Sequence, residues 1–188
     1  TTIQGGINAL PLGGTVLVKA GNYPITSKIT FPVDSVVLSD YGNGEVTIST
    51  SSSIVLIEAS ARTNIEIIGL HLIGDGAHGP ADKNGINILN SDHVTVQNVV
   101  VEKASGEGGI AVRNSTNVVI EGSRVFNTTG GHGIVLTGAN TAYNTIRNST
   151  IYNTHLVGDM MVNGAHHNIV SNTEVYKPGD IGMYIDHG

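Results

Sequence analysis

Val94-Thr95-Val96-Gln97-Asn98, Val118-Val119-Ile120-Glu121-Gly122 and Asn144-Thr145-Ile146-Arg147-Asn148 are three versions of one phrase: a short run rich in β-branched residues that ends in Asn or Gly. The same phrase closes at Asp40, Gly69 and Asn172, so the six closing positions recur at spacings of 29, 29, 24, 26 and 24 residues. Asp, Gly and Asn are the residue types that tolerate the left-handed backbone conformation of a one-residue corner between strands. A strand-like unit that returns with a period in the twenties predicts a solenoid of stacked coils. A β-sandwich, with turns every 8–12 residues or so, gives no reason for one corner class to return once per coil.

A second set of columns supports this frame. Gly85-Ile-Asn-Ile, Gly109-Ile-Ala-Val, Gly133-Ile-Val-Leu, Asp159-Met-Met-Val and Gly182-Met-Tyr-Ile align in five successive coils as the strands of a first sheet. Their second and fourth residues (Ile86 and Ile88, Ile110 and Val112, Ile134 and Leu136, Met160 and Val162, Met183 and Ile185) are apolar, the alternation of a strand with one buried face. Asn87, Ala111, Val135, Met161 and Tyr184 are then expected to point outward in a row, with coils about 4.8 Å apart. At the other end, Ile3, Ile7 and Leu10 fall at helical spacing between Thr2 and Pro11, which predicts a short amphipathic helix capping the first coil. The fold expected is all-β, a single parallel β-helix domain over residues 1–188 with a short N-terminal capping helix. The chain stops inside a first-sheet strand without a closing cap, so further coils, or a second copy stacked on that end, are expected to cover it.

Composition narrows the function classes. The 188 residues carry 15 acidic and 9 basic side chains without runs, a formal charge of −6 that argues against a nucleic-acid partner. No apolar run approaches the length of a membrane span. Cysteine is absent, which removes disulfides and thiolate metal sites, and 25 glycines suit many short strands joined by tight turns.

The cap helix, the opening Gly13-Gly-Thr-Val-x-Val-x-Ala-Gly-x-Tyr23 and the Asn/Gly corners resemble right-handed parallel β-helix proteins of the pectate lyase-like superfamily, over nearly the whole chain. That resemblance implies an extracellular or cell-surface protein acting on a polysaccharide, with its site on the outer face of the first sheet. Lyases, hydrolases, epimerases, phage tailspikes and non-catalytic surface proteins all use the fold. Gly131-His132-Gly133-Ile134 resembles the Gly-His-Gly motif of polygalacturonases, although Asp82-Lys83-Asn84 and Glu107-Gly108-Gly109 stand where that family carries its aspartates. Tyr184-Ile185-Asp186-His187 resembles the Trp-Ile-Asp-His string of pectate lyases and the Tyr-Gly-x-Asp-Pro-His string of mannuronan C5-epimerases.

On the first sheet, Asn84, Glu107, His132, Asp159 and Asp180 are expected just before the strands, and Leu89, Arg113, Thr137, Asn163 and Asp186 just after them. Stacking then gathers His132, Asp159, Asp180 and Asp186 as candidate catalytic groups, with Arg113, Glu107, Asn163, Tyr184 and His187 as substrate contacts. Three chemistries can use such a set. An inverting glycosidase needs two carboxyl groups about 6.5–9.5 Å apart. A uronate lyase or epimerase must neutralise the substrate carboxylate, with Ca²⁺ on Asp159, Asp180 and Asp186 or with Arg113, and then move a proton with His132 or Tyr184. A transition-metal site built on the histidines, of which the nearby loops add His155, His166, His167 and His187, is the third, but adjacent His166 and His167 on an extended chain project to different sides. The competing expectation is structural: Asp and His at corners satisfying local amides, Asn98, Asn148 and Asn172 stacking their amides, and a non-catalytic rod such as an adhesin or viral spike. Absence of Trp argues against sugar stacking, with Tyr143, Tyr152, Tyr176 and Tyr184 as the remaining platforms.

Overall fold

A computed structural model describes residues 2–77 and 83–186. The chain winds through three parallel seven-stranded sheets, visited in turn by every coil. Sheet 1 comprises Ile29–Thr30, Ile57–Ser60, Ile86–Leu89, Gly108–Arg113, His132–Thr137, Asp159–Val162 and Met183–Ile185. Sheet 2 runs from Gly14–Val18 through Val36–Asp40, Thr63–Ile68, Asp92–Gln97, Val119–Glu121 and Thr145–Arg147 to Ile169–Ser171. Sheet 3 runs from Gly21–Pro24 through Val46–Ser49, Leu70–Ile73, Val100–Glu102, Arg124–Phe126 and Thr150–Tyr152 to Glu174–Tyr176. Among the described residues no helix is long and apolar enough to cross a membrane.

The core is a set of inward ladders. Ile57, Ile86, Ile110 and Ile134 stack in register on sheet 1, Ile65, Val94 and Leu38, Ile67, Val96, Ile120, Ile146 on sheet 2, and Leu72, Val101, Val125, Ile151 on sheet 3. All are at most 1% exposed. Helix Ile3–Asn8 closes the N-terminal end with Ile3 and Ile7 buried against this core. Thr2 caps it by accepting the Gly5 amide on Oγ1 at 3.0 Å. Because that cap satisfies one of the helix's free amides, Thr2→Ala is expected to cost about 1 kcal/mol in urea denaturation, and Thr2→Ser almost nothing.

The corner column is present at five of the six expected positions, with φ of 68° at Gly69, 53° at Asn98, 59° at Gly122, 52° at Asn148 and 47° at Asn172, whereas Asp40, the last residue of the strand Val36–Asp40, is not left-handed. Amide stacking along it is not. Gly122 alternates with Asn98 because a Cβ there would lie 2.5 Å from the Asn98 Oδ1, and Asn148 donates instead to Glu121 (3.3 Å). Hydroxyls bind the coils at this corner: Ser123 Oγ accepts the Val99 amide and Ser149 Oγ the Ser123 amide, both at 3.2 Å. The amide ladder lies at another corner, where Asn144 donates to Asn168 at 3.0 Å. On the outside of sheet 3, Phe126, Tyr152 and Tyr176 stack face to face, their centroids 4.8 Å apart and their planes within 2°. Tyr152 and Tyr176 are therefore tied up in this pile, on a different face from the candidate residues of sheet 1.

Candidate functional site

The outward row of sheet 1 is Thr30, Glu58, Asn87, Ala111, Val135, Met160 and Tyr184. Met160 takes the place expected for Met161, because the strand Asp159–Val162 sits one residue off the expected frame. Ile134 pairs with Asp159 and Leu136 with Met161, so these two side chains, not Met160 and Val162, occupy the inward ladder. The cause is steric. The middle coils enter sheet 1 through a glycine at a position that has no room for a Cβ: at Gly85, Gly109 and Gly133 a Cβ would approach Val101, Val125 or Ile151 to 2.4 Å or less. At Gly158 it would lie 2.3 Å from Val175 Cγ1, so Gly158 fills that column and Asp159 is driven inward.

Asp159 is thus not part of the outer face. It is 0% exposed, and neither carboxylate oxygen has a hydrogen-bond partner. Burial pushes its pKa up to about 7, against a small opposing contribution from the Met160 amide. The same slip makes Asn163 a corner residue with φ 57°, its Nδ2 donating to Thr137 Oγ1 at 2.9 Å.

Four of the expected residues act on one another. Arg113 pairs with Glu107, and Glu107 and Asp180 both act electrostatically on His132. The His132 ring is half-buried, and its Nδ1 accepts the Val157 amide at 3.2 Å. An Nδ1 engaged as acceptor places the proton of the neutral ring on Nε2. Burial lowers the His132 pKa from its ordinary value, outweighing the two carboxylates that raise it. At neutral pH the ring is therefore an uncharged donor through Nε2.

Asp180 and Asp186 flank opposite ends of the strand Met183–Ile185, both exposed, with Tyr184 40% exposed between them. Asp159, Asp180 and Asp186 consequently do not converge, and among the described residues no three His, Asp or Glu side chains form a metal cluster. The expected Ca²⁺ triad does not fit this arrangement. His187 and Asp82 lie outside the described residues. His166 and His167 do come together, with Nδ1 atoms 2.7 Å apart, because His167 adopts φ 53° and turns its ring back beside its neighbour. Two imidazoles sharing a proton fall short of the ligand set of a tetrahedral site.

The residues that sequence reasoning missed lie toward the N-terminus of the same face. Lys28 and Glu58 form an ion pair at 2.5 Å and, with Asn87, Leu89 and Arg113, line a groove of about 510 Å³. Arg113 also lines a second hollow, of about 290 Å³, with Glu107, Asn114, Thr137, Gly138 and Asn163. Carrying the alternation of Ile57-Glu58-Ala59 back from the later coils would have placed Glu58 outward beside Asn87.

Comparison with known proteins agrees with this architecture. The right-handed β-helix region profile matches residues 84–188, more than half of the chain. No curated protein sequence is similar at a significant level. Among solved structures, ORF18 of Geobacillus virus E2 superposes with a TM-score of 0.78 at 16% identity, covering 98% of this chain and 42% of the viral one. The A-module of the mannuronan C-5 epimerase AlgE4 of Azotobacter vinelandii gives 0.74 at 20% identity, covering 96% and 54%. Pectate lyase Pel9A gives 0.73 at 13% identity, covering 88% and 46%, so the chain spans about half the length of these proteins or less. Three stacked parallel sheets and the family match together place the chain in the right-handed β-helix family.

Proposed function

We propose that this protein is an extracellular carbohydrate-active β-helix that binds an acidic polysaccharide along the outer face of sheet 1 and moves a proton on it, in the manner of a lyase or epimerase. The observation that carries this reading is the position of Arg113, which lines both hollows and sits beside Glu107, itself next to a neutral His132. Abstracting a proton next to a carboxylate requires a cation on that carboxylate, a base, and a donor for the charge that develops. Arg113 supplies the cation, Glu107 the base and His132 Nε2–H the donor, while Tyr184, Asp180 and Asp186 extend the face toward the C-terminal coils. Pectate and mannuronan, named for two of the structural neighbours, are polymers of this kind.

Hydrolysis by paired carboxylates is less well supported. Glu107 and Asp180 stack through Gly131 and Leu156, three coil steps apart, or about 14 Å along the backbone. An inverting pair needs about 6.5–9.5 Å.

The test is incubation with galacturonate and mannuronate polymers, following ultraviolet absorbance for unsaturated products and proton NMR for inversion at C5. Product formation that is abolished in Arg113→Gln is the expected result. Absence of product, inversion and binding on every polymer would overturn it in favour of a non-catalytic rod.

A further inference from the structure

Glu107 immediately precedes the strand Gly108–Arg113, and Arg113 ends it, yet their side chains meet. In a strand, Ala111 and Arg113 share a face, so the guanidinium must lie back along the outer surface to reach a carboxylate six residues earlier. The exposures fit this geometry. Ala111 points outward but is 0% exposed, as is Val135, its outward neighbour in the next coil. The ion pair forms a bar across the sheet, with Arg113 taking part in the larger groove on one side and in the smaller hollow on the other.

Two features make the bar exchangeable. The pair is partly exposed, with side-chain exposures of 33% and 24%, and ion pairs in such settings are held weakly. Arg113 is also incompletely satisfied: its Nε is buried and has no hydrogen-bond partner. A guanidinium prefers to grip a carboxylate through two parallel N–H bonds, and an incoming carboxylate can offer that geometry.

We propose that the Glu107–Arg113 pair is a bar that only a carboxylate-bearing glycan opens. The ligand carboxylate takes the place of Glu107 on Arg113, joins the two hollows into one channel, and frees the Glu107 carboxylate beside His132. Neutral glycans leave the bar shut, so the pair selects acidic chains before any chemistry occurs. This inference rests on the reading of sheet 1 as a glycan site.

The experiment is calorimetric titration of a galacturonate oligosaccharide and its fully methyl-esterified counterpart into wild type, Glu107→Gln, Arg113→Gln and Glu66→Gln. Removing the internal competitor in Glu107→Gln is expected to tighten binding of the acid form about tenfold and leave the ester unchanged. Arg113→Gln is expected to weaken the acid form about tenfold or more and to lose the distinction between acid and ester. Glu66→Gln removes one like charge from the exposed outside of sheet 2, away from the proposed glycan face, and a change within about twofold separates exchange at the bar from a general effect of net charge. Binding to wild type with no gain in Glu107→Gln, or an equal gain in Glu66→Gln, overturns the bar and leaves the glycan site standing. No binding to wild type or to Glu107→Gln overturns both.

Discussion

Replacing Asp159 by leucine is expected to stabilise the protein at pH 8 and to flatten its stability profile between pH 5 and pH 8. The carboxyl sits in an apolar ladder between Ile134 and Met183 with neither oxygen partnered. Burial holds its folded-state pKa at about 7, against 3.8 for an aspartate in an unfolded chain. Well below pH 4 the group is protonated in both states, and its ionisation takes nothing from stability. As pH rises, the unfolded chain ionises first and stability falls, until ionisation of the folded state near pH 7 levels the curve. A shift of that size corresponds to a loss on the order of 4 kcal/mol at alkaline pH, reduced to the extent that the strand relaxes toward water. Leucine matches the shape of the side chain and adds no charge. Urea midpoints at pH 5 and pH 8 decide the matter, read as the difference between variant and wild type so that other titrating groups cancel. Equal shifts at the two pH values, or a leucine variant weaker than wild type at pH 8, would show that Asp159 is solvated in solution.

Asp75→Ala is expected to cost about 3 kcal/mol, because it strands a buried ammonium. Lys83 Nζ lies 3.4 Å from Asp75 Oδ2, and the two side chains are only 7% and 8% exposed. Asp75 is held from several sides, by the Ser105 hydroxyl at 2.8 Å and the Ala77 amide at 3.1 Å. Burial raises its pKa, but these bonds and Lys83 outweigh that effect and keep the carboxyl below its ordinary range. The pair ties the loop after Leu70–Ile73 to the segment that enters Ile86–Leu89, and Asn87 of that strand lines the larger groove. The double variant Asp75→Ala/Lys83→Met removes the orphaned charge and is expected to recover most of the loss. Thermal or urea denaturation of the three proteins tests this. A single variant that loses less than about 1 kcal/mol would mean that Lys83 finds water when its partner is gone.

The corners and the first-sheet ladders were readable in the sequence because one steric requirement, repeated every coil, leaves a residue type behind. Other corners obey the same rule without the same mark. Left-handed residues also recur at Asn64, His93, Asn117, Tyr143 and His167, and at Lys103, Asn127, Asn153 and Lys177, and at the His, Tyr and Lys members of these columns the tertiary frame enforces a conformation that the residue type does not announce. Asp159-Met160-Met161-Val162 was misplaced because apolar alternation fits it in two frames. What settles the frame is the missing Cβ of Gly158, a constraint imposed by Val175 on the opposite sheet. The expected cluster of Asp159, Asp180 and Asp186 dissolved with that frame. The Lys28–Glu58 groove and the contact of Glu107 with Arg113 depend on how long side chains lie down across a sheet, which no spacing rule encodes.

The pile of Phe126, Tyr152 and Tyr176 has a consequence for how this molecule can be watched. The chain contains no tryptophan and only six tyrosines, so its near-ultraviolet signal is carried by few chromophores. Two of them are locked parallel at one coil spacing, 4.8 Å, where their transitions couple. The dichroism of that pair depends on the distance and angle between successive coils, and it arises from the coil that buries Asp159 and the one next to it. The C-terminal half of the solenoid therefore carries its own optical gauge, which registers loosening between coils without any label being attached.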